Sequence, residues 1–312
     1  MTDPAKHICP IGGGKGGSGK SFVTGCLGIL LAKQGYKTLL IDIDFGAANL
    51  HTILGIPHPD KSISDFINKK VITLEEIVVP TPVPELYFIS SAMNNLDITG
   101  LAHEQKMKLL RHIAKLPYDY ILLDLGAGTS FNTIDFLMIS NSSILVTTPE
   151  PTSIENIYRL IRSVYIRKIR QMLNIYNYRA LADEAERRNK KASINNPEVL
   201  LNIMKEVDPE KGANLEKALQ GFHFKLILNQ LRKQDNPSTG GLICKVIERH
   251  LSLKMHFLGN ISFDDRVHNS ICKKIPFLIL YPYTQTALDL RECCKNMQLL
   301  IKEKKSIFSD YR

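Results

Sequence analysis

The chain has 312 residues, 44% hydrophobic and 23% charged, with a formal net charge of +9. That is the balance of an ordinary soluble globular protein, long enough to bury a substantial core. No apolar run approaches the ~20 residues of a membrane-spanning helix, and the positive charge favours anionic partners without choosing among nucleotides, nucleic acid and membrane surfaces.

In chain order, short apolar runs alternate with amphipathic stretches. HICPIG (7–12) reads as a strand, 21–34 as a helix, KTLLIDID (37–44) and LYFISS (86–91) as strands, and 103–116 as a helix. YDYILLDLG (118–126) and SSILVTTP (142–149) follow as strands and 153–172 as a helix. FKLILNQ (224–230), a helix over 241–253 and MHFLGNIS (255–262) complete the pattern. Continuous apolar strands separated by helices predict a mostly parallel, doubly wound sheet of seven or eight strands, with helices on both faces.

Residues 166–222 break this rhythm with charged helical sequence, including RALADEAERRNKK (179–191) and a stretch over 197–220. They read as a helical insertion in a single domain spanning 1–312, either a solvated elaboration or a partner-binding arm. A last helix is expected over 283–312. Leu288, Cys294, Met297 and Ile301 stand near helical spacing there, and LLIKEKKSIF (299–308) offers an interfacial anchor as the alternative to simple packing. Nothing before Ile8 reads as a signal peptide, so a cytoplasmic chain is expected, with peripheral contact to the inner face of the cell membrane as an option. The six cysteines include no C-x-x-C pair and no His at zinc-finger spacing, and are expected to be reduced and mostly buried.

Gly14 to Ser21 fits G-x-x-x-x-G-K-[ST] between a strand and a helix. Glycines at 12, 13, 14, 16, 17 and 19 let backbone N–H groups turn inward around a polyphosphate, where a helix N-terminus adds positive charge. Lys20 is then expected to bridge phosphate oxygens, with the Ser21 hydroxyl on Mg²⁺. Asp124 ends one apolar strand and suits the metal, while Asp42 and Asp44 end another, Asp42 nearer the metal and Asp44 nearer the γ-phosphate. Either of these two could instead cap the following turn.

The run Lys15-Gly16-Gly17-Ser18-Gly19-Lys20-Ser21 resembles the deviant Walker A motif of the MinD/ParA family of P-loop ATPases. IDIDFGAANLHTILG resembles that family's switch I, LLDLGAGTS its Walker B and switch II, and ILNQ a strand end near the base. DLGAG and FLGNISFDDRVHNSICKKIPFLILYP are most similar to the FlhG/FleN branch, which regulates flagellar number and placement. The GAG after Asp124 departs from the proline-containing turn of MinD proper.

The resemblance implies ATP and Mg²⁺ as ligands and a homodimer in the ATP state. It makes Lys15 a lysine that reaches the partner subunit's phosphates, and Asp44 the group that orients the attacking water. Asp42 and Asp124 serve the Mg²⁺ site, while Gly126 and Gly128 let switch II approach the γ-phosphate. Gly14, Gly16 to Ser21 and Phe22 line the nucleotide, Asn229 meets adenine or merely closes its strand, and Glu150 lies near the dimer interface.

The expected output is slow hydrolysis that controls the placement or number of structures such as flagella, with a protein partner that stimulates it. A ParA-like DNA-segregating ATPase is the alternative. For it, Arg159, Arg162, Arg167, Lys168 and Arg170 on one helix form either a nucleic-acid patch or a solvated face. A cofactor-biosynthesis ATPase would need interfacial cysteines or an amidotransferase domain, and neither is visible.

Overall fold

The computed structural model describes residues 6–46, 48–91 and 103–309, the side chains of His103 and of residues 302–309 excepted. Its first half runs β1 (His7–Gly12), α1 (Lys20–Lys33), β2 (Thr38–Ile43), α2 (Leu50–Ile53), α3 (Ile63–Ile67), β3 (Val79–Pro80), β4 (Leu86–Ile89), α4 (His103–Ile113), β5 (Tyr120–Leu125) and α5 (Phe131–Leu137). Then come β6 (Ser142–Thr147), α6 (Pro151–Ile175), α7 (Arg179–Arg188), α8 (Pro197–Val207), α9 (Pro209–Gln220) and β7 (His223–Leu231). The chain closes with α10 (Thr239–Leu251), β8 (Met255–Ser262), α11 (Arg266–Cys272), α12 (Phe277–Leu280) and α13 (Gln285–Ser309).

The eight strands lie in the order β3-β4-β2-β5-β1-β6-β7-β8. All neighbours are parallel except β3 with β4. Every residue of β2 and β5 is buried, as a sheet covered on both faces requires. All seven strands read from the sequence form. The eighth, β3, is a two-residue edge too short to carry a period, and its Pro80 is tolerated because an edge strand can forgo a donor. Chain order reverses at β1, between β5 and β6, which opens a crevice at the carboxyl ends of these strands.

Two apolar layers sandwich the sheet. On one face α1, α12 and α13 bury Phe22, Leu27, Leu31, Phe277, Leu290 and Met297. On the other, α4, α5, α6 and α10 bury Leu109, Phe136, Leu160, Val164 and Ile247. This second layer continues into Ala185, Leu200, Met204, Leu215 and Leu219 of α7 to α9, so these helices pack on the sheet's own core and turn Glu184, Arg187 and Arg188 outward.

Local boundaries differ from expectation for identifiable reasons. Helix α6 runs on to Ile175 because Ile161, Val164, Ile169 and Leu173 prolong its buried stripe until Asn177 turns left-handed at φ 55°. The first ten residues of the expected insertion therefore belong to α6. The stretch over 197–220 splits where the Asp208 carboxylate accepts the Lys211 N–H at 3.0 Å and Pro209 occupies the first helical position.

In α13 the buried stripe is Ala287, Leu290, Cys294 and Met297, joined by Cys293, whereas Leu288 points outward. The anchor considered over 299–308 has side chains outside the described residues beyond Ile301. Cys9, Cys26, Cys244, Cys293 and Cys294 are buried and Cys272 is exposed. Among the described residues no helix is long and apolar enough to cross a membrane.

Candidate functional site

Residues 13–19 leave β1 and enter α1 as a loop at the centre of the sheet. Gly17 and Gly19 hold φ of 80° and 82°, a left-handed backbone that side chains resist. A Cβ on Gly14 would meet the Asn156 and Ile157 backbone of α6 at 2.5 Å, so the loop nests against that helix. A Cβ on Gly16 or Gly17 would meet nothing within 4 Å, which leaves backbone open to a ligand. Ser18 Oγ is buried with no hydrogen-bond partner among the described residues. Lys20, at the start of α1, is 7% exposed. Exposed loop amides, an orphaned hydroxyl and a lysine at a helix N-terminus fit a polyphosphate.

Asp42 and Asp124 are direct neighbours across β2 and β5, and both are buried. Burial raises both carboxyls above the usual range, and the Asp124 charge raises Asp42 further. Asp124 is partly held back by the Ser21 hydroxyl and the Lys20 ammonium. Thr24, one turn after Lys20, places its hydroxyl 3.2 Å from Asp124 Oδ1. Two crowded carboxyls beside a serine hydroxyl are a donor set that a divalent cation relieves. Both oxygens of Asp42 also accept backbone N–H groups, from Asp44 at 2.9 Å and Leu50 at 3.2 Å. Asp42 thus also caps the turn that carries Asp44.

Asp44 lies beyond the end of β2, and its Oδ1 accepts the Gly46 N–H at 3.2 Å. The same oxygen lies 3.4 Å from where a Gly126 Cβ would be, so Asp44 and the loop after β5 face each other across a gap kept clear by glycine. The Gly128 N–H donates to the Gly13 carbonyl at 3.1 Å, joining that loop to the phosphate loop.

Lys15 stands at the rim, 3.9 Å from Glu150 Oε2, with side-chain exposures of 37% and 55%. Glu150 caps α6; hydrogen bonds from Thr148 first, then from Ser153, and the Lys15 charge hold its carboxyl below the ordinary range. Asn229 donates its amide to the Ser18 carbonyl at 2.9 Å and so clamps the loop. Phe22 buries its ring edge-on against Phe277 at 5.4 Å, which leaves only its backbone near the loop.

The four arginines of α6 lie on its solvent side, but two of them are already paired with carboxylates and Lys168 points inward. Arg159 pairs with Glu155 at 2.5 Å, Arg167 pairs with Asp135 at 2.6 Å, and Lys168 is buried over the Phe222 ring. Charge separation along a helix hides such pairing from a residue count.

Sequence reasoning missed two supports. Gln230, at φ 60°, donates Nε2 to the Gly17 carbonyl at 2.8 Å and doubles the Asn229 clamp. Thr24 shares a helix face with Lys20, and the i, i+4 spacing alone could have found it.

Comparison with known proteins agrees with this geometry. The family model AAA_31, described as an AAA domain, matches residues 6–176, more than half the chain. The septum site-determining protein MinD of Buchnera aphidicola is 28% identical over 260 residues, covering 80% of this chain and 93% of the relative. The antiactivator FleN of Pseudomonas aeruginosa is 23% identical over 284 residues, covering 90% and 82%. A shorter match, 32% identical, reaches 55% of this chain and 63% of a putative MinD from Guillardia theta. Among solved structures, the cell division ATPase MinD of Pyrococcus furiosus superposes with a TM-score of 0.63 at 20% identity, covering 95% of this chain and all of that one. A MinD of Pyrococcus horikoshii, complexed with Mg-ADP, gives 0.62 at 20% identity with 95% and 98% covered. With a two-lysine phosphate loop at the switch point of such a sheet, the chain belongs to the AAA domain family AAA_31 and, within it, to the MinD/ParA P-loop ATPases.

Proposed function

We propose that the chain is an ATPase switch that dimerises around ATP, is reset by slow hydrolysis, and controls where or how many cellular structures assemble. The contrast between its two loop lysines carries the reading. Lys20 is buried at the head of α1, within its own loop, whereas Lys15 stands half-exposed at the rim. Opposed triphosphates concentrate negative charge, and one amine from each subunit offsets it. Glu150 holds that amine on its own chain until the second subunit arrives.

Ser21 and Asp124 are the residues that would hold magnesium, with Asp42 as the neighbour that shapes Asp124 and the following turn. Magnesium, when bound, neutralises charge on the phosphate oxygens. Asp44 places the attacking water, a task of orientation more than of deprotonation. Gly126 leaves room for that approach, and the Gly128 bond to the phosphate loop passes a change there to α5. Asn229 and Gln230 keep the loop in its receptive form.

The names of the relatives, a septum site-determining protein and an antiactivator, support placement or number control as the output. A protein partner that stimulates hydrolysis belongs to the same reading. With Arg159 and Arg167 paired to carboxylates and Lys168 buried, the α6 patch gives DNA coating less support.

Sizing chromatography with ATP and Mg²⁺ tests it. Wild type should run as a dimer, and Lys15→Ala should bind ATP yet stay monomeric. Asp44→Ala should hold the dimer with turnover reduced about a hundredfold or more. A Lys15→Ala dimer would remove the trans role; unchanged ATP affinity in Lys20→Ala would remove the loop reading altogether.

A further inference from the structure

Opposite the face that carries α1, three helices leave an open groove of about 1040 Å³. Helix α5 lines it with Phe131, Ile134 and Asp135, and Met138 just past its end completes an i, i+3, i+4, i+7 stripe. The stretch from Met107 to Ala114 on and just past α4 has the same spacing, and α6 contributes a longer stripe from Ser163 to Asn174. At 1.5 Å per residue the α6 wall is ~16 Å long, about three helical turns. Walled by three such stripes, the groove has the shape that admits a further helix.

The chemistry of the walls specifies the occupant. Arg111, Arg167, Arg170 and Arg179 line the groove, against the single carboxylate of Asp135. That carboxylate is already neutralised by Lys106, buried beneath it, and by Arg167 Nε at 2.6 Å. Between the arginines the surface is apolar: Phe131 is 74% exposed, Met107 is 38% exposed, and Leu110, Met138 and Ile166 are half-buried around a floor of Ile134. Methionine and aromatic side chains adapt to an incoming apolar face. A second copy of this chain, net charge +9, is poorly matched to so basic a rim.

We propose that this groove docks an acidic amphipathic helix, about three turns long, of a partner protein. Carboxylates along its flanks pair with Arg111, Arg170 and Arg179, and its apolar stripe covers Phe131, Met107 and Met138. The seat reaches the switch directly, because Thr129 lines the groove and Phe131 follows Gly128 by three residues. Occupancy is thereby coupled to the loop bonded to Gly13. That coupling rests on the ATP-switch reading; the docking itself does not.

The test uses the full chain and a fluorescein-labelled synthetic three-turn helix with leucines on one face and glutamates on the other, read by anisotropy without nucleotide. Saturable one-to-one binding is expected, weakened at least about tenfold in Arg111→Glu/Arg170→Glu and in a peptide with serine for leucine, and absent for a peptide with lysine for glutamate. Arg111 and Arg170 are exposed, so circular dichroism should show the variant folded. No binding by about 100 µM, equal binding by the arginine variant, or equal binding of the serine peptide would overturn the proposal. Displacement of the peptide by a DNA duplex with the same arginine dependence would replace it with a nucleic-acid surface. Repeating the titration with ATP and Mg²⁺ isolates the coupling: equal affinity in both states removes the coupling alone.

Discussion

On one face of the sheet α1, α12 and α13 meet through apolar side chains, with Phe22 against Phe277 and Met297 fully buried. On the other, α5 buries Ile134, Phe136 and Leu137 and adds a tie by charge, Asp135 receiving Lys106 from α4 and Arg167 from α6. The first face supports a loop whose geometry must persist whether or not ligand is bound. The second supports the helix that follows the Gly126 to Ser130 turn. Ion pairs can exchange partners with little change of volume, whereas an interlocked apolar layer cannot slide without opening voids. The ion pairs on the rim of α5 are the part of its seat that can rearrange, whereas the packing around the phosphate loop cannot.

The largest test of this contrast is Phe277→Ala. Loss of a fully packed ring on the α1 face should cost about 3 to 5 kcal/mol in urea unfolding, against under about 0.5 kcal/mol for Phe131→Ala on the groove. Similar costs at both sites would erase the difference between the faces.

Asp135→Asn comes next. It leaves Lys106, 6% exposed, without its counter-charge and should cost about 3 kcal/mol. Asp135→Leu combined with Lys106→Met should recover most of that loss; if the double variant is no better than the single, charge pairing is not what holds α5.

A smaller effect is expected from Asn229→Ala, which strips the Ser18 carbonyl of its buried donor. About 1 to 2 kcal/mol should be lost, with faster hydrogen exchange at Gly17 to Gly19. Unchanged exchange would show that Gln230 clamps the loop unaided.

The mildest prediction concerns pH. Burial, then the His58 ring and the Lys274 charge, lowers the affinity of His51 for protons below the ordinary histidine value. The folded chain therefore binds fewer protons than the unfolded one once pH drops toward 6.5, and stability should fall as pH goes from about 7 to 5. His51→Gln should flatten that slope in thermal melts; an identical slope would mean that other groups dominate it.

The sheet and the phosphate loop were legible in the amino-acid order. A strand buried on both faces is a continuous apolar run, and a loop that wraps phosphate needs glycines, lysine and serine at adjoining positions. Both signals are local. The bounds of α6 and the break at Asp208 were less visible, because a stripe read over a dozen residues does not announce where packing lets it stop. Leu288 misled because it is apolar and near the spacing, yet the face that α13 buries was set by its approach to β8 and α1.

What could not be read came from residues far apart in the chain. Asn229 and Gln230 reach Ser18 and Gly17 across 211 and 213 positions, a double clamp that no local pattern announces. The Asp124 charge raises Asp42 only because β2 and β5 lie side by side. The groove exists in no single segment, since its three stripes are separate helices brought together by the winding of the sheet. Periodicity and turn chemistry act over a few residues and are written in order along the chain. Proton affinity, clamping and surface shape depend on distances in space, and those are set only when the layers pack.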